Sequence, residues 1–122
     1  MANRYVAVVD DDEQVRRLLS KKLQESGIPT KQYECGEDLV NGLSSEVRIT
    51  AVVMDTNMGS NRLGYDICRE LGESHPHIPV IGASGNPEYM DNWLRCGAKH
   101  FFPKPFDFKE LADLVKFYHP AV

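Results

Sequence analysis

Short apolar runs and helically spaced apolar residues alternate along this chain from end to end. "RYVAVV", Arg4 to Val9, is β-branched, long enough for a strand and too short for a helix. Val15, Leu18, Leu19 and Leu23 then recur at helical spacing until Gly27, a natural C-terminal stop. "TKQYE", Thr30 to Glu34, reads as a weaker and more polar strand, and Leu39, Val40 and Leu43 mark a short helix. "ITAVVM", Ile49 to Met54, is the most continuously apolar run, the pattern of a strand buried on both faces. Ile67, Cys68 and Leu71 predict a third helix ending near Gly72, and "PVIGAS", Pro79 to Ser84, predicts a fourth strand. Asn86 before Pro87 puts a capping residue ahead of a proline at the first helical position, so a helix starts there and runs to Gly97. "AKHFF", Ala98 to Phe102, predicts a fifth strand. Asp107 with Glu110 opens a last helix whose apolar face is Leu111, Leu114, Val115 and Tyr118.

Strands alternating with helices over short connections imply a parallel sheet covered on both faces, here a single doubly wound α/β domain. Such sheets carry their sites beyond the carboxyl ends of the strands, near the point where the strand order reverses. Asp10, Asp11, Asp12, Asp55, Ser84 and Lys104 all fall at or just past such ends. Six polar residues from four strands therefore converge on one rim.

Composition narrows the classes of function. With 122 residues, 42% apolar and 26% charged, the chain can bury one core without staples. Fourteen basic against eighteen acidic residues give a net charge of −4, with no basic cluster. That argues against direct contact with nucleic acid or an anionic membrane. No apolar run is as long as a membrane span, and the N-terminus lacks a signal-peptide core. Three widely spaced cysteines, Cys35, Cys68 and Cys96, read as reduced thiols of a cytoplasmic protein.

Three carboxylates at a strand end repel one another unless a cation joins them, and oxygen-only ligands suit a hard ion such as Mg²⁺. Asp10 and Asp11 would face opposite ways in an ideal strand, but the chain bends there. "DDDE" equally suits a solvated helix start whose acids are favoured by the helix dipole, and Asp12 and Glu13 belong to that reading. Asp55 follows a six-residue run with five apolar residues and precedes "TNMGSNRLG"; beside Mg²⁺ its carboxylate stays ionised and can attack phosphorus. Its plain alternative is a loop acid capping the following turn. Lys104 sits between two prolines in "FFPKPF", which hold the backbone extended and make Lys104-Pro105 a candidate cis bond. Pro103 indicates an edge strand, because a central strand could not spare its N–H. Ser84 could donate to a phosphoryl oxygen or merely finish its strand.

"VVDDDE", "VVMDTNM", "IPVIGAS" and "CGAKHFFPKPF", in this order and spacing from about Tyr5 to Tyr118, resemble a response-regulator receiver domain, the CheY-like phosphoacceptor of two-component phosphorelay signalling. The resemblance implies a flavodoxin-like (βα)5 fold of strand order 2-1-3-4-5 and one receiver domain over residues 1–122; ending at Val122, directly after the last helix, the chain is expected to carry no effector domain, either as a stand-alone receiver or as one excised from a larger protein. It implies Asp55 as acceptor of a phosphoryl group from a histidine kinase or histidine phosphotransfer protein. Asp11 and Asp55 would hold Mg²⁺ directly, Asp10 mainly through water, with the Asn57 backbone carbonyl as a further ligand. Lys104 would pair with the phosphoryl group, Ser84 and Phe101 would form the switch, and Asn57 and Asn86 would modulate dephosphorylation. The responding face would be the fourth helix, fifth strand and last helix, which would meet a downstream effector. The resemblance admits a homodimer across that face. Catalysis would extend only to the domain's own phosphorylation and hydrolysis.

The pattern departs from that family in places. Gly59 stands where proline is usual after Met58, the loop to Gly64 is one residue longer, and Leu63 replaces the usual acid before Gly64. Pro103 before Lys104 is unusual, and Phe101 lacks a tyrosine's hydroxyl. His75 and His77 in "SHPHIP" read as a solvated loop rather than a metal pair. Trp93 reads either as a half-exposed partner contact or as simple packing against a neighbouring helix. Two other classes compete. A haloacid-dehalogenase-type phosphatase would need a D-x-D nucleophile motif after the first strand, which "DDDEQ" fits poorly. A flavin binder of flavodoxin type would need a Ser/Thr/Gly-rich phosphate loop where this chain has three acids.

Overall fold

The computed structural model describes residues 3–43, 47–59 and 62–119. Five strands, β1 (Asn3–Val9), β2 (Thr30–Tyr33), β3 (Val47–Asp55), β4 (Val80–Ser84) and β5 (His100–Pro103), form one parallel sheet of order β2-β1-β3-β4-β5. The helices are α1 (Glu13–Glu25), α2 (Gly36–Gly42), α3 (Gly64–Ser74), α4 (Met90–Arg95) and α5 (Phe108–Tyr118). This is the doubly wound five-stranded fold that the alternation implies. The strand order reverses between β1 and β3, so the ends of those two strands frame the crevice.

Alternate residues of the central strands feed two apolar layers. Val6, Val8, Ala51, Val53 and Ile81 pack with Leu19 and Leu23 of α1 and Leu111 and Val115 of α5. Ala7, Val9, Val52 and Met54 pack with Leu39 of α2, Ile67 and Leu71 of α3, and Trp93 of α4. Each fully buried aliphatic side chain contributes roughly 1.5–3 kcal/mol.

Several boundaries shift from those expected, mostly by one or two residues. The helix expected from Asn86 to Gly97 is split: Asn86 accepts the Glu88 amide at 3.0 Å over a single 3-10 turn, Pro87–Tyr89, before α4 begins at Met90. α1 is rotated about its axis from the expected face. Leu18 is 46% exposed, whereas Arg16 and Ser20 join Leu19 and Leu23 inside. The Arg16 guanidinium explains the rotation, since it donates to the Asp10 carbonyl at 2.8 Å and satisfies a buried strand-end oxygen. Asp12 caps α1 by accepting the Gln14 and Val15 amides, as its helix-start reading requires. Asp107 accepts the Glu110 amide at the start of α5 in the same way. Lys104-Pro105 is cis, and β5 is an edge strand.

For Trp93 the packing reading holds and the partner-contact reading does not. It is 0% exposed, so it offers no partner surface. Its ring fills the space that a missing Cβ leaves at Gly82, where such an atom would overlap the indole. A Gly82→Ala substitution should therefore overpack this layer and destabilise the protein by about 1–3 kcal/mol, read from the midpoint of urea unfolding.

Candidate functional site

β1 and β3 are hydrogen-bonded neighbours, with Val9 in register with Met54, so the next residues, Asp10 and Asp55, emerge side by side. Asp10 is 4% exposed and Asp55 is half-buried. Asp11, one residue further, lies exposed on the bend, yet one oxygen from each of Asp10, Asp11 and Asp55 falls within 4.8 Å of the others. Among the described residues this is the one such group of three potential ligands, so His75 and His77, whose rings are 6.2 Å apart, gather no third partner there.

The Lys104 ammonium bridges this rim. Its Nζ donates to Asp10 Oδ2 at 2.8 Å and to Asp55 Oδ1 at 3.0 Å. Its backbone is fixed by the Lys104 amide donating to the Ser84 carbonyl at 2.9 Å. The sharing is unequal. Burial lowers the lysine's affinity for its proton, but the hydrogen bonds to Asp10 and Asp55 more than offset this, so Lys104 is held above its usual value. Burial raises Asp55, and the Lys104 hydrogen bond does not fully compensate because Asp10 adds repulsion. One ammonium gains two carboxylates, while Asp55 gains only part of one ammonium.

Of the remaining expected residues, Ser84, Asn57 and Asn86 lie at the same strand ends, whereas Phe101 lies further back along β5. Ser84 is buried, and its Oγ accepts the Asn86 amide at 3.0 Å. Asn57 and Asn86 are exposed on the loops after β3 and β4. Phe101 pairs with Gly82 across the β4–β5 ladder and packs half-buried on the layer containing Trp93. Gly59 adopts φ +72°, the left-handed region that disfavours other residues, and a Cβ there would lie 3.6 Å from Asp11 Oδ2. That conformation accounts for glycine where proline was expected, because proline cannot reach it. Ser60 and Asn61, within the lengthened loop, lie outside the described residues. Leu63 cannot cap α3, and Asp66 instead accepts the Leu63 amide at 3.0 Å.

Sequence reasoning missed Arg16, Thr56 and the role of Trp93. Arg16 was detectable, because 16, 19, 20 and 23 also follow helical spacing, but a charged residue hid the pattern. Thr56 offered no signal, since a threonine after Asp55 reads as loop.

Taken chemically, three acids and one ammonium make an oxygen-rich pocket with excess negative charge. Its donor set fits a hard divalent cation, and its lysine could face an anion beside that cation. Among the described residues no helix is long and apolar enough to cross a membrane.

Residues 6–116 match the family model described as the response regulator receiver domain. The chain is 29% identical over 118 residues to the DNA-binding transcriptional regulator NtrC of Escherichia coli, covering 95% of this chain and 25% of that protein. It is 31% identical over 109 residues to the response regulator MprA of Mycolicibacterium vanbaalenii, covering 87% of this chain and 46% of that protein. It thus spans a quarter to under half the length of these relatives. Among solved structures, the BeF3-activated DrrB receiver domain superposes with a TM-score of 0.83 at 30% identity, covering 99% of this chain and 100% of that one. The response regulator TrrA of Thermotoga maritima, in complex with Mg²⁺-BeF, gives 0.84 at 27% identity over 95% of this chain and 98% of that one. With this match over nearly its whole length, the chain belongs to the response regulator receiver domains of two-component signalling.

Proposed function

We propose that Asp55 accepts a phosphoryl group from a phosphohistidine on a sensor kinase or histidine phosphotransfer protein, in a reaction that requires Mg²⁺. The observation that carries this reading is the Lys104 ammonium, 3.0 Å from Asp55 and 2.8 Å from Asp10 at the carboxyl rim of the sheet. Asp10, Asp11 and Asp55, with the Asn57 carbonyl, would hold the ion, Asp10 mainly through water. When bound, Mg²⁺ neutralises the acidic cluster and draws charge from phosphoryl oxygens. The TrrA complex with Mg²⁺-BeF supports the same choice of ion for this chain.

An Asp55 oxygen attacks phosphorus, the phosphorus–nitrogen bond breaks with its electron pair staying on the nitrogen, the imidazole takes up a proton from water and leaves neutral, and an acyl phosphate forms. The product carries roughly −1.5 to −2 charges and three strong acceptors. Lys104 then turns from the carboxylates to the phosphoryl oxygens. Ser84 releases the Asn86 amide and donates its hydroxyl to the same group, and Phe101 follows into the space beside β4. The change reaches the face formed by α4, β5 and α5, where a downstream effector docks. Asn57 and Asn86, exposed at the rim, tune access of the hydrolytic water. The domain acts as a switch rather than on an external substrate, and it works in the cytoplasm. Residues 1–122 form one receiver domain in this reading.

Acetyl phosphate with Mg²⁺ should add one phosphoryl group to the wild type by intact-mass measurement. Chelating the metal or changing Asp55→Asn should abolish the gain, and an equal gain in that variant would count against the assignment. Lys104→Ala should slow phosphorylation on the order of 100-fold, as removal of preorganised charge stabilisation does elsewhere, measured by the same mass shift over time.

Without metal, the ionised Asp55 weakens the fold. Its proton affinity is raised on folding, so the penalty is absent at low pH, where it stays protonated in both states, and complete above its raised native value. Asp55→Asn should therefore raise the thermal midpoint by a few degrees at neutral pH in chelator. That advantage should vanish as the pH falls below the ordinary carboxylate value of 3.8, followed by calorimetry.

A further inference from the structure

Thr56 directly follows the proposed acceptor, and both its carbonyl and its hydroxyl are hydrogen-bonded. Its carbonyl accepts the Gly64 amide at 2.7 Å, which joins the end of β3 to the start of α3. Its hydroxyl donates to the Ala83 carbonyl at 2.8 Å and accepts the indole Nε1–H of Trp93 at 2.8 Å. Both residues are fully buried. A buried threonine hydroxyl is already satisfied by one carbonyl. The second bond exists because the chain's single tryptophan projects from α4 into the sheet.

The indole is clamped as well as bonded. It lies against Gly82 of β4 and Gly64 of α3, where any Cβ would meet the ring at under 3 Å, and it meets the Tyr65 ring edge-on with centroids 6.1 Å apart. Ala83 precedes Ser84 and Thr56 follows Asp55, so one ring spans the mounts of both groups. Away from water, two linked neutral hydrogen bonds strengthen each other, and neither can be replaced by solvent.

We propose that Trp93 is a positioning residue for phosphoryl acceptance: its indole N–H, acting through the Thr56 hydroxyl, holds the turn that presents Asp55 and couples that turn to α4. The inference rests on Asp55 being the acceptor. It follows that α4 cannot shift without disturbing the acceptor's mount.

The test is the rate at which acetyl phosphate and Mg²⁺ phosphorylate the full chain, by intact mass, in wild type, Trp93→Phe, Thr56→Val, the double variant and Thr56→Ser. Trp93→Phe keeps a ring but removes the donor, and Thr56→Val keeps the shape but removes the hydroxyl. Each should slow the reaction by about three- to tenfold, the scale of one hydrogen bond. The double variant should be no slower than the worse single variant, because both break one link. Thr56→Ser should restore a rate close to wild type. Thermal midpoints are taken in parallel: lowered midpoints with unchanged rates would mean that Trp93 only packs, and would overturn the inference. So would losses that multiply in the double variant. If Trp93→Phe fails to fold, equal rates in Thr56→Val and Thr56→Ser would overturn it alone. A wild type that takes up no phosphoryl group removes the acceptor reading and this inference together. A phosphorylated wild type with an unaltered Trp93→Phe rate removes the inference only.

Discussion

Like charge at the ends of two adjacent strands is the constraint around which this rim is organised. Neighbouring strands lie less than 5 Å apart, so acids that end β1 and β3 cannot avoid each other. Asp10 is nearly buried and Asp55 half-buried, which deprives both of much of the water that would screen them. Lys104 answers part of that charge from β5, at the far edge of the sheet. Its side chain must pass over the end of β4, where Ser84 and the following Gly85 are both small. The pairing remains incomplete for Asp55, so the rim keeps an appetite for further positive charge.

The rim is also anchored to both layers beneath it. From the α1 side, Arg16 holds the Asp10 carbonyl. From the α4 side, Trp93 holds Thr56, and Thr56 holds Ala83 and Gly64. The Lys104 amide on the Ser84 carbonyl ties the cationic group to the strand that carries the proposed switch hydroxyl. Hydrogen bonds around the two carboxylates and the lysine therefore run into the backbone at the ends of β1, β3 and β4 together.

Most of the fold was legible because the two hydrophobic periods, two for strands and 3.6 for helices, are local properties. The central strands, with β-branched runs bounded by turn residues, were the clearest. Helix ends were less clear: α3 continues past Gly72 to Ser74, and the α4 segment opens with a 3-10 turn. The buried face of α1 was misjudged by one position, because Leu18 looked like core and Arg16 like surface. A guanidinium can be buried when its donors find a carbonyl, and periodicity has no means of seeing that carbonyl. Trp93 was open between surface and interior for a similar reason: its place depends on glycine at 64 and 82, far away in the chain.

By itself the sequence determined the alternation of elements, the placement of acids, serine and lysine at strand ends, and the family whose motifs they spell. Those follow from spacing along the chain, and spacing is written there. Only the tertiary structure decided which of these groups meet. Lys104 and Asp10 are 94 residues apart, and Trp93 and Thr56 are 37 apart. Such pairs form because sheet order and burial bring distant ends within 3 Å where water cannot substitute, a condition that no local pattern encodes.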